Sequence, residues 1–150
     1  MRSSFERTAR LAASPDKAWA TLHDVNQLAS YSSHIGQVTT VQPDRRWMTS
    51  LQDRVGLLRL SAPMEVEVVA ETALTQISIR ASGQDRGPGT RLMVEASIRI
   101  DQTSRGTRLT LTGWYDLRGR VATLGAAVAK RQAETMIDEF WSNLTADLSG

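Results

Sequence analysis

The sequence predicts an α+β fold in which a curved antiparallel sheet of about seven strands wraps a long C-terminal helix, with two short helices after the first strand. Three observations predict it. From Gln37 to Arg118 apolar residues recur at every second position, the period of half-buried strands. From about Val121 to Leu148 they recur at every third and fourth position, the period of a helix with one apolar stripe. The links between the alternating segments are too short for crossovers, so neighbouring strands must run antiparallel.

Phe5 to Leu11 alternates as the opening strand. Ser14-Pro15 starts the first short helix, with Ser14 as N-cap and Pro15 at the first helical position. Trp19 and Leu22 supply its buried face. A second short helix is expected over Val25 to Tyr31, where Val25, Leu28 and Ala29 share a face. Two weaker strands follow near 37–42 and 46–54, separated by the turn pair Pro43-Asp44. The clearest strand runs through Leu58, Leu60, Ala62, Met64, Val66 and Val68, interleaved with Arg59, Ser61, Glu65 and Glu67. Ile77 and Ile79 continue the pattern, and Gly83 to Gly89, with Pro88, reads as a turn. Leu92, Val94, Ala96, Ile98 and Ile100 then share one face of a strand. A hairpin at Ser104-Arg105-Gly106 leads into Leu109, Leu111, Gly113, Tyr115 and Leu117. Trp114 is out of phase with these and belongs on the outer face. The terminal helix carries Val121, Leu124, Val128, Gln132, Met136, Phe140 and Leu144 along its stripe, widened by Ile137 and Trp141.

Composition bounds the function. A chain of 150 residues suits one domain, 1–150, with a single core. With 41% hydrophobic and 23% charged residues it has an ordinary soluble composition, and no apolar run approaches the roughly 20 residues of a membrane span. The N-terminus lacks the apolar core of a signal peptide, so a cytoplasmic location is expected. Cysteine is absent, which excludes disulfides, thiolate metal sites and thiol catalysis. A net charge of +2 with scattered arginines argues against nucleic acid as a partner.

Little in the sequence points to catalysis. His23 and His34 are the two imidazoles, and neither belongs to a zinc-binding pattern. No metal and no catalytic residue is expected. The glycine-rich stretch 83–89 lacks the Lys-Ser/Thr of a phosphate loop. Tyr115, Thr107 and Gln132 are the polar groups in phase with the inner faces, joined less securely by Tyr31 and Trp47. A few such groups in an apolar chamber suit the orientation of a hydrophobic ligand. Val55-Gly56-Leu57-Leu58 is an apolar hairpin tip bracketed by Arg54 and Arg59, and Arg118 and Arg120 precede the terminal helix. Apolar tips flanked by arginine dock on anionic membranes, at about 1 kcal/mol per basic residue, or form ordinary solvated turns.

Several segments carry a resemblance. Ala13-Ser14-Pro15-Asp16-Lys17-Ala18-Trp19-Ala20-Thr21-Leu22-His23-Asp24 looks like the "P-x-x-x-W-x-x-L-x-D" first helix of the SRPBCC, or START-like, helix-grip superfamily. Asp24-Val25-Asn26-Gln27-Leu28-Ala29 resembles the following "D-x-x-x-L-A", and Gly106-Thr107-Arg108-Leu109-Thr110 resembles the "G-T-R-V-T" of its penultimate strand. Gly125 and Phe140-Trp141-Ser142-Asn143-Leu144 are similar to the final helix of the CoxG-like branch, named for an accessory component of aerobic carbon monoxide dehydrogenase. The chain departs from that branch at Tyr31-Ser32-Ser33-His34, where its members carry Cys-Ile-Pro-Gly.

The resemblance implies an internal cavity, with no covalent cofactor, that takes a lipid or isoprenoid quinone. The protein would then serve a molybdenum-containing carbon monoxide dehydrogenase at the inner membrane face, as a peripheral and non-enzymatic carrier. Its walls would be Trp19, Leu28, Tyr31 and Trp47, then Leu58, Leu60, Met64 and Val66. Ile77, Ile79, Leu92, Val94, Ala96 and Ile98 would continue them. Leu109, Leu111, Tyr115, Leu117, Leu124, Val128, Gln132 and Met136 would close them. Arg54, Leu57, Arg59, Arg118 and Arg120 would face a membrane or partner. Two other readings stay open: a polyketide cyclase or aromatase using Tyr115, Tyr31, His34 or Asp53, and an assembly factor without ligand.

Overall fold

A computed structural model describes residues 1–55, 58–85 and 89–149. The elements are β1 (Arg2–Leu11), α1 (Pro15–Leu22), α2 (Val25–Ser30), β2 (Thr39–Gln42), β3 (Arg46–Val55), β4 (Leu58–Thr72), β5 (Gln76–Gln84), β6 (Arg91–Thr103), β7 (Gly106–Arg118) and α3 (Ala126–Ser149). The strands form one seven-stranded antiparallel sheet in the order β1-β7-β6-β5-β4-β3-β2. This is the helix-grip arrangement the alternation predicts. Its curvature follows from the right-handed twist of long strands.

The register fixes which side chains look inward. Directly opposed residues share a face, and Ala81↔Val94, Val94↔Tyr115 and Ile98↔Leu111 place the predicted apolar positions together on the concave side. Gly113 lies opposite Phe5, and a Cβ there would stand 2.6 Å from Phe5 Cζ, so the glycine lets the Phe5 ring cross the sheet. One bulge breaks the alternation. Between Val68 and Ala70 the pairing with β5 slips, and the odd-numbered Glu71 then opposes Ile77. A single inserted residue therefore turns a carboxylate toward the concave side.

Ser14 caps α1 as expected, its Oγ accepting the Lys17 amide at 3.2 Å. The buried face of that helix is Ala18, Thr21 and Leu22, while Trp19 stays half-buried against the His23 ring. In α2 no residue is buried, so Leu28 is only a half-buried contributor to the core.

The terminal helix differs from expectation at its start. Arg120–Leu124 is a 3₁₀ turn, and Gly125, with φ of 101°, separates it from α3. Such a backbone conformation favours glycine and ends the helical run. The apolar spacing continues across this break, which is why it reads as one helix. Leu124 and Val128 are exposed, each at 39%, whereas Ala129, Trp141, Leu144 and Leu148 are buried. The 24 residues of α3 span about 36 Å, and its buried stripe deepens toward the C-terminus.

Leu144 and Val128 therefore differ in weight despite equal spacing in the pattern. Leu144→Ala is expected to cost about 2–5 kcal/mol and Val128→Ala under about 1 kcal/mol, read as shifts of the urea midpoint at constant slope.

Candidate functional site

The apolar interior is split into two clusters. One packs Phe5, Leu11, Leu109, Leu111 and Tyr115 of the β1–β7–β6 side with Trp141, Leu144 and Leu148 of α3. The other packs Leu51 of β3, Leu60, Ala62 and Met64 of β4, and Ala81 of β5. Leu92 and Val94 of β6 border both. Around that seam, Leu58, Val66, Ile77, Ile79, Leu92, Val94 and Ala96 point to the concave side and yet stay half-exposed, as does Met136 across from them. The middle of the sheet and the N-terminal half of α3 thus bound a half-open apolar seam, or trough, whose side chains are less fully covered than those of the two clusters.

The predicted cavity residues divide accordingly. Leu60, Met64, Ile98, Leu109, Leu111, Tyr115 and Leu117 are buried within the packed clusters. Those on the seam line the trough, and Leu124 and Val128 stand exposed at its helical end. Trp47 is half-buried and opposes Val66. Two shallow grooves of about 360 and 390 Å³ lie mainly on the outer side of the sheet, beside Ser50 and Pro63 and beside Ser97 and Trp114. The second shares Ile79 and Ala96 with the trough, and neither is lined by Leu92, Val94 or Met136.

Polar groups at the interior have separate fates. Thr107 is fully buried and its hydroxyl donates to the Ala13 carbonyl at 2.7 Å, so it is a structural tie. Tyr31 donates to Asp147 and accepts from Gln27 Nε2 at 3.0 Å. Burial, and then Asp147, push its phenol up to about 12. It is committed to the C-terminal end of α3. Tyr115 is different: its ring stacks near Phe5, and its buried Oη has no hydrogen-bond partner among the described residues. A buried hydroxyl left unpaired costs about 1–3 kcal/mol.

Side chains that the sequence leaves scattered meet where α3 crosses the edge of the sheet. Asp53 Oδ2 accepts from Gln132 Nε2 at 2.7 Å, and Asp53 Oδ1 stands 3.3 Å from His34 Nδ1. Next to them Ser33 donates its amide and, at 2.9 Å, its hydroxyl to Glu139. The Ser33 amide holds the Glu139 carboxyl below its ordinary value, against partial desolvation and with help from the Ser33 hydroxyl. Of the cyclase set, the structure brings His34 and Asp53 together and leaves Tyr31 and Tyr115 apart.

A second histidine contact has no signature in the sequence. His23 Nδ1 lies 2.8 Å from the Trp19 carbonyl and Nε2 lies 2.6 Å from Glu71. Both oxygens only accept, so the ring donates from both nitrogens and is an imidazolium when both bonds form. The bulge at Val69 makes this contact by turning Glu71 inward.

On the outer face, Trp114 donates to Glu95 Oε2 at 3.1 Å and lies under the Arg2 guanidinium, 3.9 Å from the ring centre. Its expected outward placement holds, with its polar edge satisfied. Arg54, Arg59, Arg118 and Arg120 are exposed, while Leu57 and Pro88 lie outside the described residues. Among the described residues no helix is long and apolar enough to cross a membrane, and no cluster of three metal-binding side chains forms.

Residues 2–149 match the family described as polyketide cyclase / dehydrase and lipid transport. The chain belongs to this family. No curated protein matches the sequence significantly. Among solved structures, a conserved protein from Geobacillus kaustophilus superposes with a TM-score of 0.82 at 17% identity, covering 99% of this chain and 95% of that one. A protein from Rhizobium loti superposes at 0.69 with 12% identity, over 99% and 98% of the two chains. One from Thermus thermophilus superposes at 0.66 with 16% identity, over 99% and 97%. At these identities the likeness shows the fold alone. The cyclase / dehydrase and lipid transport family is consistent with the binding of hydrophobic small molecules, as the apolar trough also is.

His23 gives the fold a pH dependence. Partial burial pulls its pKa down, but the Trp19 carbonyl, Glu71 and the Asp44 charge together hold it above its ordinary 6.5. Its stabilisation is therefore complete below about pH 6.5 and is lost as pH rises through the folded-state value. An NMR titration is expected to place His23 above the ordinary 6.5, and Glu71→Gln to lower the His23 value and flatten the stability profile.

Proposed function

We propose that this protein binds and carries a hydrophobic small molecule in the trough between α3 and the middle of the sheet, without transforming it. One observation carries the reading: apolar side chains that face inward at Ile79, Leu92, Val94 and Ala96 remain half-exposed, where a filled core would hide them. A ligand that covers them gains about 25 cal/mol for each Å² of apolar surface removed from water. Tyr115 Oη, unpaired beside Phe5, offers that ligand a polar point if the seam relaxes around it.

The finer reading is that the ligand is a lipid or isoprenoid quinone, presented at the membrane to a carbon monoxide dehydrogenase-type molybdenum enzyme. Gly125 and the final-helix residues Phe140 to Leu144 support the CoxG-like branch. The exposed Leu124 and Val128, close in sequence to Arg118 and Arg120, support contact with an anionic surface. A second reading, cyclase-like chemistry, is favoured by the meeting of His34 and Asp53.

Native mass spectrometry of the purified protein with its co-purified lipid is expected to show one apolar ligand per chain. Val94→Trp, which fills the seam, is expected to abolish that adduct while the protein stays folded. Retention of the adduct in Val94→Trp, or repeated recovery of the bare chain, would overturn the reading. Tyr115→Phe is expected to leave stability unchanged or raise it by about 1 kcal/mol, because it removes an unpaired buried hydroxyl, and to weaken a ligand that uses it. Paired thermal melts and binding titrations measure both effects.

A further inference from the structure

The cluster at the rim of the trough has a feature that a simple tether does not need. Asp53 comes from an inward position of β3, opposite Leu60, and its side chain is only 5% exposed. Both of its oxygens are engaged. Oδ2 takes the Gln132 amide at 2.7 Å, and Oδ1 takes the Arg54 backbone amide at 2.7 Å and faces His34 Nδ1 at 3.3 Å. His34 Nδ1 also faces the Gln52 carbonyl at 3.1 Å. Two acceptors around Nδ1 require the hydrogen to sit there in the neutral ring. The lone pair is then on Nε2, which has no hydrogen-bond partner among the described residues, on a side chain that is 21% exposed.

We propose that His34 Nε2 is a hydrogen-bond acceptor for a ligand hydroxyl, with the Gln52 carbonyl as the acceptor that holds the hydrogen on Nδ1 and Asp53 beside it. This deepens the proposed function and rests on it, since the ligand must already occupy the trough. Three features define the ligand's polar end. It must donate, because the neutral ring offers a lone pair and not a proton. It is best weakly acidic, because an O–H of that kind gives the stronger bond to an imidazole nitrogen. It is not a carboxylate, because Asp53 and the nearby Glu139 already make the rim negative. The class that satisfies all three is a hydrophobic phenol or enol. Nothing is transferred in this step: the hydroxyl keeps its proton and shares it with Nε2.

The loop is independently anchored, which makes the site testable. Its backbone holds β3 through the Gln52 amide to the His34 carbonyl at 2.8 Å and through the Ile35↔Leu51 bridge. His34→Leu should therefore fold. Two probes of the same shape, α-naphthol and α-methylnaphthalene, separate the hydroxyl from the apolar ring system. Binding of both to the wild-type chain is expected, with α-naphthol about three- to tenfold tighter, the size of one net hydrogen bond. His34→Leu, which removes the acceptor, is expected to erase that difference and leave α-methylnaphthalene unchanged. Long-range proton–nitrogen NMR of the ligand-free protein is expected to show Nδ1 protonated and Nε2 bare.

An Nε2-protonated ring in the wild type, or a naphthol preference that survives His34→Leu, would overturn the inference. So would equal binding of the two probes, and in that case the trough reading stands alone. Failure of both probes to bind removes the trough reading and this inference with it.

Discussion

The placement of α3 governs the concave side, and polar ties at both flanks of the sheet set that placement. On the β1 flank, Arg7 reaches Glu134 at 2.6 Å and Asp138 at 2.9 Å, two carboxylates one helical turn apart. Those bonds, with Glu134 foremost, hold the guanidinium pKa above its ordinary value even against burial. On the opposite flank, Asp53 holds Gln132, and Ser33 holds Glu139. Partly exposed ion pairs such as those of Arg7 contribute little stability, about 0–1 kcal/mol each. Their effect is geometric. They fix the helix across the sheet at its margins, while the apolar stripe docks firmly only over its C-terminal half. A helix held at its two sides bridges the middle strands, and the seam at Leu92 and Val94 is the consequence.

The legible and illegible parts of this arrangement divide along a physical line. Strand faces are legible because a period of two records burial on one side, and the register confirms the even positions from Leu92 to Ile100 with the odd ones from Leu109 to Leu117. The bulge leaves a faint signal in Val68-Val69, two apolar residues where one is due, and its effect on Glu71 requires the pairing itself. Arg7 carries a clearer sign, lying in phase with Phe5, Ala9 and Leu11 and therefore aimed inward. The start of α3 escapes the pattern because spacing does not report backbone conformation, although Gly119 and Gly125 punctuate it.

The candidate site is harder for a related reason. Asp53 and Gln132 are 79 positions apart, and only the closure of helix over sheet brings them together. Tyr31 and Tyr115 look equivalent in the sequence, as polar groups near an apolar interior. They differ through neighbours that no local pattern predicts, with Asp147 occupying one hydroxyl and nothing among the described residues occupying the other. The periodicity thus reports that a surface is buried and is silent on whether protein or ligand buries it.

A sheet whose concave face is partly open needs its shape held from the other side. Across the outer face Arg46 meets Glu65 and Glu67, Arg80 meets Glu67 and Glu95, and Glu95 meets Trp114, which Arg2 covers. The Arg80 hydrogen bond is the main reason that Glu95 is held below its ordinary pKa. This run of cross-strand contacts passes through neighbouring strands from β3 to β1, in the order the topology gives. No member is strong alone, because most are exposed and screened. Taken in sequence they link each strand to the next above the level of the backbone ladder, where inward packing is thinnest. The division of labour is consistent: charges on the convex side link the strands, and the concave side keeps its apolar side chains, half-exposed along the seam.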